Sequence, residues 1–315
     1  MAGRRTKRFS RRTGAERKRS RVPAYILCIV IFLVLSFAIS VVIGLLLRQS
    51  ADRITSRPKY DFQKVEYQKG NKTLKSIEGY FFAKGSSAAD YYMQGIEDFS
   101  MSLRHTGGAL DYSSTVAATL GLDTSDESSS LYNVVRDIHD VGGRACGYFY
   151  VKAFEQSDKS LRDVYAAYEL SLIGEAAESG IDEILLLGIT VTDENTREVE
   201  DFLARASRSA QSCAIGVAVS ADTLKLTEDE IYYVARLKES CDFVALDLTH
   251  LTLNDTEPQT DGEGNQLPST FETVLEQNEY YIRTYGLRLL FSKQEYLIYR
   301  TAIELGVVDF QIVDK

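Results

Sequence analysis

Glu178–Glu194 reads ESGIDEILLLGITVTDE, and the fold is decided there. Gly180 stands where a helix would stop, since glycine adopts the left-handed cap conformation that other residues avoid. Ile184 to Ile189 then forms an apolar run too short for a buried helix, the pattern of a parallel strand covered on both faces. Helix, glycine and strand recur as TYGLRLL around Gly286 and ELGVVDF around Gly306.

Outward from this unit, short β-branched or aromatic runs begin near Ile77, Phe99, Arg144, Glu183, Ala214, Asp242, Leu287 and Asp309. Between them lie helical stripes: Leu131, Val134, Val135, Ile138 and Val141; then Leu161, Val164, Tyr168, Leu172 and Ala176; then Val199, Phe202, Leu203 and Ala206. Ser160, Asn195, Thr227, Ser269 and Ser292 each precede an acid by three residues, the pattern of a helix N-cap. Apolar strands alternating with capped helices predict an α/β fold, a single closed (β/α)8 TIM-type barrel over residues 77–315. The sequence stops just after the eighth run, so a final helix is expected to be absent and the eighth strand uncovered. The turn-rich stretch 251–270 predicts an extended loop.

The other end of the chain has a different composition. Residues 1–22 carry ten Lys or Arg against Glu16 alone, so the net charge of −9 leaves the remainder at −18. Ala24–Leu47 follows with twenty-four residues and no charge, long enough to cross a bilayer and too long for the apolar part of a signal peptide. These features predict a basic cytoplasmic tail (1–22), a transmembrane signal anchor (23–48) in contact with the lipid bilayer, and a linker (49–76). The basic flank fixes the N-terminus inside, which puts the barrel outside a cell membrane crossed once. An external charge of −18 argues against nucleic acid as a partner, because phosphate recognition relies on lysine and arginine. Cys28 falls in the apolar span, and Cys146, Cys213 and Cys241 fall at strand starts without ligand spacing, so buried thiols are expected, with no metal site.

Barrel active sites lie at the carboxyl ends of the strands. The residues expected there are Lys84, Arg104, His105, Lys152, Thr190, Ser220, Asp222, Asp247, Thr249, His250, Ser292, Lys293 and Asp314. A glycosidase needs two carboxylates flanking the scissile bond, and Asp222 with Asp247, on adjacent strands, are the candidate catalytic pair. The competing reading makes Asp222 a cap for the next helix and Asp247 a polar strand end. Candidate ligand-binding residues are Arg104, His105, Tyr148, Lys152, Ser220, Thr249, His250 and Lys293. Lys152 has no charged sequence neighbour to activate it for imine chemistry, and His105, His139 and His250 are too scattered for a histidine metal centre. Neither a phosphate-binding glycine loop nor a dinucleotide motif is present, so no cofactor is expected. The 19 Tyr and 14 Phe could provide faces for sugars, although Trp, common on such faces, is missing.

Four stretches carry a resemblance: IEGYFFAKG from Ile77, MSLRHTGGALDYSST from Met101, YELSLIGEAAESGIDEILL from Tyr168, and VAVSAD ending at Asp222. Together, with the Gly108, Leu110, Tyr112, Ser114 spacing, they resemble a family of bacterial membrane-anchored or secreted (β/α)8 barrels assigned to the glycoside hydrolases. The similarity spans Ile77 to about Leu251, a little over half the chain. That family implies an aspartate within the second strand and another near the end of the fourth, followed by arginine. Here Ser102, Leu187 and Thr190 stand at those places, while Asp222 is kept. The resemblance therefore implies a divergent, catalytically degenerate member that binds a cell-wall or surface glycan. The alternatives are an active glycosidase using Asp222 and Asp247, and a structural partner of another envelope protein.

Overall fold

The computed structural model describes residues 58–60, 62–126, 128–220 and 225–314. The basic tail, the apolar stretch 24–47 and the linker up to residue 57 lie outside them. No helix among the described residues is long and apolar enough to cross a membrane.

Eight parallel strands close a barrel: β3 (Glu78–Phe81), β4 (Asp98–Arg104), β5 (Arg144–Tyr150), β6 (Glu183–Leu187), β7 (Ala214–Ser220), β8 (Phe243–Asp247), β11 (Arg288–Ser292) and β12 (Phe310–Val313). Each begins within two residues of its expected start. Closure comes from β12 lying beside β3, with Phe310 opposite Glu78 and Gln311 opposite Gly79. Side chains alternate across the wall, as the pleat requires. Ile184 and Leu186 of β6 face outward into the core shared with the helices. Leu185 and Leu187 face inward beside Tyr148, Ala218 and Leu290.

The longest surrounding helices are Lys159–Glu178, Thr196–Ser209, Glu228–Ser240 and Thr270–Tyr285. Thr227 and Ser269 form complete capping boxes with Glu230 and Glu272, as expected. The other three expected caps differ. Asp158, not Ser160, caps its helix through the Leu161 amide, Asn195 turns its side chain back to Thr192, and Ser292 ends β11. The eighth strand is also covered, contrary to expectation. Phe310 is fully buried, with Tyr299 of the preceding helix (Tyr296–Leu305) stacked on it and Tyr80 of β3 edge-on. The loop 251–270 holds a 3-10 turn at Leu253–Thr256 and a small hairpin of β9 (Gln259–Thr260) and β10 (Gln266–Leu267).

The expected linker contains structure of its own. β1 (Glu66–Lys69) and β2 (Lys72–Lys75) form a hairpin whose two-residue turn has Gly70 at φ 65°, the first-position glycine of a type II′ turn. Leu74 of β2 enters the barrel floor among Phe243, Ala245 and Leu290. Beside it, Lys72 Nζ donates to Asp242 Oδ2 at 2.8 Å and to Ser207 O at 3.0 Å, while Asp242 Oδ2 also accepts from the Ile215 amide at 2.8 Å. The hairpin thus stops the amino-terminal end of the barrel.

Above this stop the lumen holds charge. Arg288 donates from Nη1 to Glu183 Oε2 at 2.8 Å and from Nε to Asp309 Oδ1 at 2.9 Å. Arg144 Nη2 reaches the other oxygen of Glu183 at 2.8 Å, and the Arg288 guanidinium lies 4.2 Å from the centre of the Phe243 ring. A buried arginine is tolerated only with such pairing.

Buried phenols and thiols give the fold an alkaline limit. Burial pushes Tyr80 and Cys241 up to about 12, and Tyr112, Tyr148 and Tyr168 move further in the same direction. Unfolded tyrosine releases its proton near pH 10, whereas the folded chain keeps it, so this contribution is complete below about pH 10 and lost as pH rises through 12. Urea midpoints should fall steadily across that window. Absorbance at 295 nm in the folded state should show a late-titrating group of tyrosines.

Candidate binding site at the carboxyl end of the barrel

A cavity of about 800 Å³ opens at the carboxyl ends of β3, β4, β11 and β12. Phe81, Phe82 and Tyr112 supply aromatic wall, His105, Asp111, Lys293 and Asp314 supply charge at the barrel mouth, and Lys84 and, from the flanking helix Leu131–Asp140, Asp137 and Asp140 add further charge along its side. Of the four lining carboxylates, the two at the strand ends, Asp111 and Asp314, each meet a basic side chain. His105 Nε2 lies 2.7 Å from Asp111 Oδ2, and Lys293 is ion-paired with Asp314. The Lys293 ammonium also sits 4.4 Å from the centre of the Phe81 ring. Behind them, the Tyr148 hydroxyl accepts from the Asp314 amide at 3.0 Å, and burial lifts its phenol well above the ordinary range.

Ser102 adds a hydroxyl 3.4 Å from the same His105 Nε2. A serine, a histidine and an aspartate therefore meet, but not as a nucleophilic relay. That relay needs the acid on one ring nitrogen and the serine on the other, and here Nε2 faces both. Ser102 and Asp111 are held as polar lining.

The loop that presents His105 and Asp111 is built on Arg104. β4 carries an irregularity between Ser102 and Arg104, so Ser102 faces the lumen while Arg104 turns out toward the helices. Fully buried, Arg104 donates from Nη1 to Tyr150 O at 2.7 Å and to Glu169 Oε1, and its Nε lies 2.8 Å from Asp123 Oδ2 in an ion-pair contact off hydrogen-bond alignment. Glu169 also accepts the Lys152 and Ala153 amides, and burial raises its carboxyl against the pull of Arg104. Arg104 is thus a clamp behind the wall, not a ligand-binding residue of the mouth. Lys152 projects elsewhere too, crowding Gly108, whose φ of 87° and missing Cβ leave room for Lys152 Nζ and Asp123 Oδ1.

Other expected site residues stand on the β7–β8 side. Asp247 ends β8, its Oδ1 accepting from the Thr249 amide at 3.0 Å and from the Thr249 hydroxyl. Ser220 ends β7, His250 is exposed, and Asp222 lies outside the described residues. None of Asp247, Thr249, Ser220 and His250 lines the cavity, whereas His105 and Lys293 do and Tyr148 backs it. At the end of β6 the absent acid has a steric counterpart. Gly188, at φ 79°, lies under the Tyr150 ring, where an added Cβ would come within 2.7 Å of ring carbons. Asp111, Phe81 and Phe82 are lining residues that strand-end counting passes over, because Asp111 lies beyond the turn after β4 and β3 ends at Phe81, three residues before the expected Lys84.

The sequence matches no family model and no curated protein. Solved structures share the fold. One is an assigned alpha-L-fucosidase from Bacteroides thetaiotaomicron, at 10% identity over 82% of this chain and 88% of that one, with a TM-score of 0.51. Another is a GH113 beta-mannanase from Alicyclobacillus acidocaldarius, at 9% identity over 76% and 87%, with a TM-score of 0.48. By architecture the protein is a (β/α)8 TIM-type barrel. At these identities the kinship is one of fold.

Proposed function

We propose that the barrel binds a cell-envelope saccharide in the cavity above β3, β4, β11 and β12, with little or no turnover. The observation that carries this reading is an aromatic-walled cavity of about 800 Å³ whose strand-end carboxylates, Asp111 and Asp314, are each engaged by a basic side chain, while its other two, Asp137 and Asp140, belong to the flanking helix and not to a strand end. Rings and paired polar groups suit sugar faces and hydroxyls. Glycoside cleavage asks instead for a proton-bearing acid beside a second free carboxylate. Ser102, Leu187 and Thr190 at the positions of the resembled family's carboxylate pattern support loss of turnover. The uncharged stretch 24–47 and its basic flank support attachment to a cell membrane with the barrel outside.

The test is calorimetric titration of the full chain, in detergent, with solubilised peptidoglycan and neutral oligosaccharides, while reducing ends are counted. Heat of binding without new ends is expected, and His105→Ala or Lys293→Ala should weaken it about tenfold, roughly 1.4 kcal/mol. New ends that vanish in Asp222→Ala and Asp247→Ala would make the protein an active glycosidase. No heat and no release would point to a protein partner.

A further inference from the structure

The opposite end of the barrel holds a second cavity, of about 430 Å³, between the hairpin and the ends of the helices Glu228–Ser240 and Thr270–Tyr285. Phe62, Val65, Phe243, Ile282 and Leu287 make much of its wall apolar. Its lining also carries four cationic side chains, Lys75, Lys238, Arg283 and Arg288, against one carboxylate, Asp309.

Three of the four have acidic partners. Lys75 lies 3.7 Å from Asp98, Arg283 lies 3.5 Å from Glu279, and Arg288 is held by Glu183 and Asp309. Lys238 differs. Its ammonium donates to the Tyr285 carbonyl, and no carboxylate among the described residues stands within ion-pair distance. A second ammonium, Lys69, reaches the Lys238 carbonyl at 3.5 Å, donates to Cys241 O at 2.6 Å and lies 4.0 Å from Asp242. Burial first, and then Lys69, push Lys238 below the ordinary lysine range, although the nearby Cys241 thiol acts the other way. A half-buried ammonium without a counterion is disfavoured, and an anion brought to it relieves that cost.

We propose that this cavity binds a small organic anion, its carboxylate or phosphate head on Lys238 with Arg283 beside it and its apolar body against Ile282, Leu287 and Phe243. The site is independent of the saccharide reading, since it lies at the other end of the barrel and shares no lining residue with the first cavity.

Phenyl phosphate and 3-phenylpropionate are the probes, with 3-phenylpropanol as the uncharged control, titrated calorimetrically into the full chain. Both anions should bind and the alcohol should not. Lys238→Gln should weaken the anions at least tenfold, Lys238→Arg should retain them, and His105→Ala should leave them unchanged. A second readout uses the wild-type chain alone. Trinitrophenylation of Lys238, followed by mass spectrometry, should slow when phenyl phosphate is present. The proposal is overturned by equal binding of the alcohol, by no heat from either anion, by unchanged affinity in Lys238→Gln, or by unprotected Lys238.

Discussion

Replacing Arg288 by Met should lower the unfolding free energy by about 3–5 kcal/mol, the usual cost of stranding a buried charge by removing its partner. Arg288 is almost fully buried and holds both Glu183 and Asp309. Without it, Glu183 keeps Arg144, but Asp309 keeps, among the described residues, only the Ile77 amide. Urea unfolding followed by far-ultraviolet circular dichroism would measure the loss. Adding Asp309→Asn should recover part of it, because the amide oxygen still accepts from Ile77 while the stranded charge is gone. If the double variant were as unstable as Arg288→Met alone, the loss would lie in packing on Phe243 and not in charge.

The second large effect should follow Arg104→Met, again about 3–5 kcal/mol, since Asp123 and Glu169 have at most 2% side-chain exposure and would lose their cation together. This variant differs in where the damage shows. Arg104 joins the start of the loop that carries His105 and Asp111 to the end of β5 and to the helix Lys159–Glu178. Saccharide affinity should therefore fall by more than the single His105→Ala change causes, even under conditions where the variant is folded. Amide exchange should quicken first across residues 105–126. Unchanged stability and affinity would show that the clamp carries no load.

Much of the barrel was legible because its strands are buried on both faces. Runs such as EILLL and AIGVAVS cannot be solvent-facing elements, and their spacing leaves room for one helix each. Capping boxes at Thr227 and Ser269 were legible because their chemistry is local. The hairpin was not, since β1 is exposed along its whole length and Leu74 is the single apolar residue that β2 plants in the floor. Its one local signal was the Gly70-Asn71 pair.

Arg104 was misplaced for a different reason. Strict alternation from Ser100 through Ser102 puts residue 104 in the lumen, and the irregularity after Ser102 sends it to the other face. A slip of one residue inverts every assignment beyond it, and no composition rule marks where it occurs. The cavity was only half legible, because its walls come from the pairs β3–β4 and β11–β12, which meet only on closure.

The hairpin stop also bears on the order in which the chain can fold. Lys72 reaches Asp242 across 170 residues and the Ile77 amide reaches Asp309 across 232, so the hairpin and β3 find their seats only after those distant residues have been made. Contacts of such sequence separation form slowly, because a long loop must close before they are made. Until then Leu74 and the open edge of β3 stay unsatisfied, and the barrel is completed only when β12 reaches β3.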